Sequence, residues 1–239
     1  MKHLVFITLA CALMAQTPAP TASTAPLRHL RYAFTADYQN LTEAHYDGTR
    51  NSTSGVATGV RGGGRKGTVA VDVVSIAPDG ALVVRVSETL QNAPRAGETH
   101  TCMVYGNTSV LCPAYDKTTD AEWSLLSYLG REFVDGAPWD AQRHWQHKEN
   151  TQKFDLTEDF TLTGALTDPS VVVHESKVMK LYDGDLEERI DDVQITYDRT
   201  MEIPATVHDE MRRIYNGTSS SSTLDFHLTS DSWTNKRPG

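Results

Sequence analysis

The stretch Thr68-Val69-Ala70-Val71-Asp72-Val73-Val74-Ser75-Ile76-Ala77-Pro78-Asp79-Gly80-Ala81-Leu82-Val83-Val84-Arg85-Val86 holds two Val-rich runs on either side of one turn. In the first run Val69, Val71 and Val73 alternate with Ala70 and Asp72; in the second Leu82, Val84 and Val86 alternate with Val83 and Arg85. A period of two puts neighbouring side chains on opposite faces of an extended chain, so each run reads as a half-buried strand. Pro78-Asp79-Gly80 supplies the chemistry of a tight turn, with φ preset at Pro and a positive φ admitted at Gly. Strands joined by so short a turn run antiparallel, because parallel neighbours need a long crossover.

Working outward, the same texture recurs. Tyr32, Phe34 and Ala36 alternate with Arg31, Ala33 and Thr35, and later segments repeat it at Phe154 and Leu156, Phe160 and Leu162, Val171 to Leu181, Val193 to Tyr197 and Leu224 to Leu228. Asp183-Gly184 marks a second tight turn, between Val178 to Leu181 and Asp192 to Asp198. One segment departs from the pattern. Thr119-Asp120-Ala121-Glu122 has the form of a capping box, and Trp123, Leu125, Leu126, Leu129 and Phe133 follow at helical spacing, with Gly130 as a stop. The spacing predicts a helix over 120–129 that packs a Trp/Leu face on the sheet. The predicted fold class is therefore mainly β: an antiparallel meander forming a sandwich or curved half-barrel, with one short α-helix. In general arrangement this resembles exported half-barrel carriers of lipids and lipoproteins, a resemblance of architecture that implies a concave sheet face and carries no site residue.

The first residues read Met1-Lys2-His3, an apolar run from Leu4 to Ala15, then a Thr/Pro/Ala-rich stretch. That order is the signature of a secretory signal over 1–15, followed by a disordered leader over 16–26 and one β-rich domain over 27–239. The expected location is periplasmic or extracellular. A membrane span is excluded on length, since it needs about 20 consecutive apolar residues, and the mean hydropathy of −0.41 suits a soluble chain. The net charge is −9, with carboxylates concentrated after residue 100. Such a balance repels phosphate backbones and anionic headgroups, so nucleic acid is not an expected partner.

Removal of Cys11 with the signal leaves Cys102 and Cys112, placed symmetrically about Asn107. A Gly106-Asn107-Thr108 loop would set the two cysteines opposite each other on paired strands, and in an oxidising compartment an even pair reads as a disulfide. His144 and His147 are a weak metal pair, with Glu149, Glu158 or Asp159 as further ligands; there is no HExxH, and on a strand residues i and i+3 face opposite ways. Asp183 and Asp185 belong to an acidic run that lacks the ligand order of a calcium loop. Gly59 to Thr68 is rich in Gly and basic residues but lacks the ending of a phosphate loop, and a flexible hairpin or bulge is the plainer expectation. Neither GxSxG nor SxxK occurs. Asn40, Asn51, Asn107 and Asn216 begin N-x-Ser/Thr sequons, which carry glycans only in a eukaryotic secretory chain.

No motif specifies a reaction or a cofactor. The leading functional expectation is a non-enzymatic binding or carrier module for an apolar ligand or partner segment. The alternative is an envelope structural or interaction protein with a closed core, and a third reading is an exported hydrolase using His144 or His147.

Overall fold

The computed structural model describes residues 25–42, 61–92, 97–106, 109–113, 117–129, 143–165, 167–182, 187–200, 202–215 and 218–234. The signal and most of the leader, the Asp183 and Asp185 turn, Asn51, Asn107 and Asn216 lie outside these residues.

Eleven strands and one helix follow in chain order: β1 Arg28–Thr42, β2 Arg61–Ile76, β3 Leu82–Leu90, β4 His100–Val104, β5 Val110–Leu111, α1 Asp120–Leu129, β6 His144–Asn150, β7 Phe154–Thr163, β8 Ser170–Leu181, β9 Glu187–Asp198, β10 Ile203–Tyr215 and β11 Thr218–Trp233. All eleven strands belong to one antiparallel sheet in the order β5-β4-β3-β2-β1-β11-β10-β9-β8-β7-β6. Two runs of sequence neighbours, β1 to β5 and β6 to β11, meet where the first strand pairs with the last. The expected antiparallel meander is present, as an open curved sheet rather than two packed sheets.

Local chemistry explains the connections. Between β2 and β3 the Gly80 amide donates to the Ala77 carbonyl at 2.9 Å, and Gly80 has φ +85°, a conformation only glycine adopts without strain. The Ala81 amide is held by the Asp79 carboxylate at 3.2 Å, so Asp79 and Gly80 have the separate roles their residue types imply. Between β4 and β5 the ladder pairs Met103 with Leu111 and Val104 with Val110, which places Cys102 opposite Cys112. Their sulfurs are bonded. The register is the one a three-residue loop dictates. Cross-linking a loop of this length restricts the unfolded chain by about 2.5–3 kcal/mol. Reduction should therefore lower the melting temperature without abolishing the transition; an unchanged temperature would show that the bond adds nothing to stability.

The sheet's inner face holds the core. Leu30, Tyr32, Phe34 and Ala36 of β1 are buried there, with Val69, Val71 and Val73 of β2, Val84 and Val86 of β3, Val171 and Val173 of β8, Val193, Ile195 and Tyr197 of β9, and Phe226 of β11. Phe34 and Phe226 lie side by side across the β1–β11 seam, ring centres 6.3 Å apart. The Tyr32 hydroxyl donates to the Pro204 carbonyl at 2.9 Å; burial pushes that phenol well above the ordinary tyrosine range. Exposed large apolar side chains among the described residues are Ile76, Leu111, Tyr182 and Trp233, all at strand ends or in turns.

Gly59 and Val60 of the glycine-rich segment lie outside the described residues, and no bulge interrupts the rest. Residues 61–68 are regular strand in β2, paired with β1 from Arg61 to Val73 without a register shift. Gly67 sits opposite Phe34, and a Cβ there would lie 2.3 Å from the Thr89 carbonyl oxygen and 2.8 Å from the Phe34 ring. Here glycine makes room for an aromatic ring.

Helix α1 has the predicted bounds, and its predicted Trp/Leu face packs on the core with Leu125 and Leu126 at its centre. Ala121, Glu122, Leu125, Leu126 and Tyr128 are buried, while Trp123 and Leu129 are only partly so. The helix touches β3, β4, β5 and β10, with Glu122 bonded to β3 at its start and Tyr128 bonded to Asp209 of β10 near its end. Strands β3 and β10 are four sheet spacings apart, about 19 Å along the sheet, whereas ten helical residues span about 15 Å. The sheet curls around the helix, which lies across it as a chord.

Candidate ligand cleft

The start of α1 is fastened by a reciprocal capping box: the Thr119 amide donates to Glu122 Oε2 at 2.9 Å, and the Glu122 amide donates to Thr119 Oγ1 at 3.2 Å. Sheet geometry then adds a second layer. Strand β4 pairs with β3 only as far as Val86, so Glu88 and Leu90 lie beyond the reach of that ladder. The Glu88 backbone is satisfied differently: the Gly97 amide donates to its carbonyl at 2.7 Å, and it hydrogen-bonds the Glu122 carboxylate. The Glu88 side chain turns inward, receives the Arg65 guanidinium on Oε1, and accepts the Thr119 hydroxyl at 2.5 Å on Oε2.

Around this junction a cleft of about 440 Å³ is lined by Arg65, Glu88, Leu90, Gly97, Glu98, His100, Lys117, Thr119 and Glu122. That volume is in the range of small-molecule sites. Three of its ionisable side chains are almost inaccessible: Glu122 is 1% exposed, Glu88 5% and His100 7%. Burial pushes the Glu122 carboxyl above its ordinary range, against the Thr119 hydrogen bond and the attraction of His100. Lys117 stands at the rim, 3.6 Å from Glu98. Thr119→Ala should cost about 1–2 kcal/mol, the upper part of the range for a lost cap, because the hydroxyl also serves Glu88. Urea unfolding checks this, with Thr119→Ser expected to restore most of the loss.

The opposite end of α1 is anchored by Tyr128, whose hydroxyl donates to Asp209 Oδ2 at 2.5 Å. Asp209 belongs to a group of inward-facing carboxylates with Glu175 and Asp191, all buried. Glu175 and Asp209 both flank Val193 in the ladder, and the Asp191 carboxylate accepts Arg189 Nε at 3.0 Å. Beside them Lys177 Nζ lies 3.1 Å from Glu158. Inward positions on β7 to β10 thus change along the strands from apolar to charged.

Sequence reasoning did not gather these residues, although a signal was present. In β3, β8, β9 and β10 a carboxylate stands two positions from a buried valine: Glu88 after Val86, Glu175 after Val173, Asp191 before Val193 and Asp209 after Val207. Continuing the period of two places each on the core side.

The residues singled out for metal chemistry are dispersed. His144 and His147 are exposed on β6, opposite Thr161 and Glu158, on different faces of the sheet. His144 Nε2 lies 3.7 Å from Asp159, which also accepts the Gln146 amide at 2.7 Å. Glu149 lies across from Leu156 at the outer strand. No group of three or more metal-ligating side chains occurs among the described residues. On the outer face His208 bridges Asp225 at 2.6 Å and Glu210 at 3.2 Å; the hydrogen bond to Asp225 is the main cause that raises its pKa. Asn40, the sequon within β1, pairs with Ser220 and Arg61.

The chain matches no family model and no curated protein. Among solved structures it aligns with a chain from a study titled "Lipid-protein interactions in lipovitellin", with a TM-score of 0.48 and 10% sequence identity over 90% of this chain. It spans about a quarter of the length of that protein, 26%. Among the described residues no helix is long and apolar enough to cross a membrane.

Proposed function

We propose that the chain is an exported, non-enzymatic binding or carrier module that takes an apolar ligand, or an apolar segment of a partner, on the inner side of its curved sheet. The observation that carries this reading is the cleft beside the start of α1. It lies among inward-facing positions of β2, β3 and β4, next to the apolar core, and brings a few buried polar groups into one concavity. The lining is mostly charged and polar, with Leu90 as its apolar wall packed against the core. The Cys102–Cys112 bond is of the kind that persists in an oxidising compartment, in keeping with export. Because the apolar inner side chains are themselves buried, a ligand longer than the cleft reaches them by displacing part of α1.

The test is native mass spectrometry of the protein from its own compartment, joined to titration of the delipidated protein with an apolar fluorescent probe. A co-purifying apolar ligand, or saturable probe binding above that of a closed β-sandwich control, is the expected result. Absence of both would reject the reading.

One observation favours a second reading, a structural or interaction protein with a closed core. The inner apolar side chains are buried, and β6 has a partner on one side only among the described residues. Such a protein would work through its acidic surface or through that sheet edge, and would leave the probe unbound.

A further inference from the structure

We infer that His208 is a pH-sensitive clip on the outer face of the sheet: as an imidazolium it ties Asp225 of β11 to Glu210 of β10, and on losing a proton it keeps Asp225 and releases Glu210. The inference is independent of the binding reading above.

Geometry leads to it. Asp225 stands directly across the β10–β11 ladder from His208, and Glu210 follows two positions along β10, so strand alternation sets all three side chains on one face. Nδ1 lies 2.6 Å from Asp225 Oδ1, and Nε2 lies 3.2 Å from Glu210 Oε1. An ionised carboxylate only accepts hydrogen bonds, and a neutral imidazole has a single N–H. Only the doubly protonated ring can donate to both carboxylates at once. The charged groups around it point the same way. Across from Glu210 stands Asp192 of β9, and Asp37 of β1 lies beyond Thr223 of β11. Arg212 follows on β10, and Lys66 of β2 lies two strands beyond Asp225. The remaining neighbours on this face are Gln194 opposite the ring, His174 beyond it on β8, and His227 opposite Thr206. Four carboxylates thus stand against two fixed cations. The hydrogen bond to Asp225, with a smaller one to Glu210, raises the pKa of the ring against its partial desolvation.

The unequal distances decide which contact survives. The one N–H of the neutral ring belongs on Nδ1, facing the nearer carboxylate, and Nε2 then turns a lone pair toward Glu210. Glu210 is exposed and can swing into water. It lines a trough of about 460 Å³ with Asp37, Asp192 and Arg212, while His208 and Asp225 line an adjoining one of about 390 Å³. The clip stands where the two meet. Loss of its proton removes a positive charge there and strengthens the negative field of the outer face. The sign for stability follows: a raised folded-state pKa makes the contribution complete below about pH 6.5, the unfolded value, and lost as pH rises through the folded one.

The experiment is a pH titration of the His208 ring-nitrogen shifts in the full chain by NMR, with the Glu210 side-chain carboxyl carbon followed in the same samples. At about pH 6.5, where an ordinary histidine is half protonated, both ring nitrogens should be protonated in well over half of the molecules. Above the midpoint Nδ1 should keep its proton while Nε2 loses it, and the Glu210 carbon should move with the same midpoint. D225N should lower the midpoint most and E210Q by less, since the Asp225 contact is the shorter. A midpoint at or below about 6.5 in the native chain overturns the clip, as do midpoints unmoved in both variants. A proton retained on Nε2 overturns the order of release. A Glu210 carbon that does not follow His208 overturns the bridge itself. The native-chain titration decides the matter even if a variant fails to fold.

Discussion

Phe226→Ala should destabilise the protein by about 3–5 kcal/mol, the range for emptying a buried aromatic site. Phe226 is 2% exposed, lies on β11 directly opposite both Phe34 of β1 and Val207 of β10, and contacts the Phe34 ring in a tilted pair. Truncation removes the transfer energy of the ring and also the aromatic pairing, and leaves a hole that three central strands cannot close together without breaking their ladders. Phe226→Leu fills much of the space and should cost clearly less. Urea unfolding of both variants measures the difference. A loss for Phe226→Ala below about 1 kcal/mol would mean that the seam is loosely packed.

Gly67→Val is the second large effect, and its sign is decided by magnitude. A β-branched residue gains up to about 1 kcal/mol from strand preference, and replacing Gly also trims the entropy of the unfolded chain by under about 1 kcal/mol. Against this, even the first carbon of a side chain would stand 2.3 Å from the Thr89 backbone oxygen, with the Phe34 ring at 2.8 Å. Overpacking of a fixed core costs about 1–3 kcal/mol and occasionally more, and the clashing atom here is backbone within the β2–β3 ladder. A net loss of about 2 kcal/mol or more is expected. Gly63, where a Cβ meets nothing within 4 Å, is the control: Gly63→Val should be neutral or stabilising. If both substitutions behaved alike, the close packing of β2 against Phe34 would be wrong.

What could be read from the residues was what is local. Alternation located the strands because burial on one face is recorded at every second position, and Pro78-Asp79-Gly80 and the Thr119 to Glu122 box located a turn and a helix start because each is built from neighbours. The cysteine register followed from symmetry about residue 107. The helix face was legible in Leu125 and Leu126, which hydrophobicity selects; burial of Glu122 and Tyr128 was not, because a curled sheet also encloses polar side chains that lie along its chord. Arg61 to Thr68 misled because glycine signals flexibility in isolation and close packing when an aromatic ring lies opposite. The cleft was hidden because Arg65, Glu88, His100 and Thr119 come from four segments joined only by strand order.

The pairing of β1 with β11 has a consequence for how the molecule is made. Every other ladder joins strands adjacent in sequence, so each half of the sheet can zip from local hairpins on the microsecond scale of such events. The seam is different. The Arg28 and Asp231 side chains that meet across it are 203 residues apart, and loop closure over such a distance is entropically demanding and slow. The partner of β1 leaves the ribosome only after all the strands between them have been made. Until then the nascent chain carries half-sheets with raw central edges, each a template for pairing with the wrong strand. Closure of the seam waits for β11, so the inner edge of β1 stays unpaired while every strand between the two is being made.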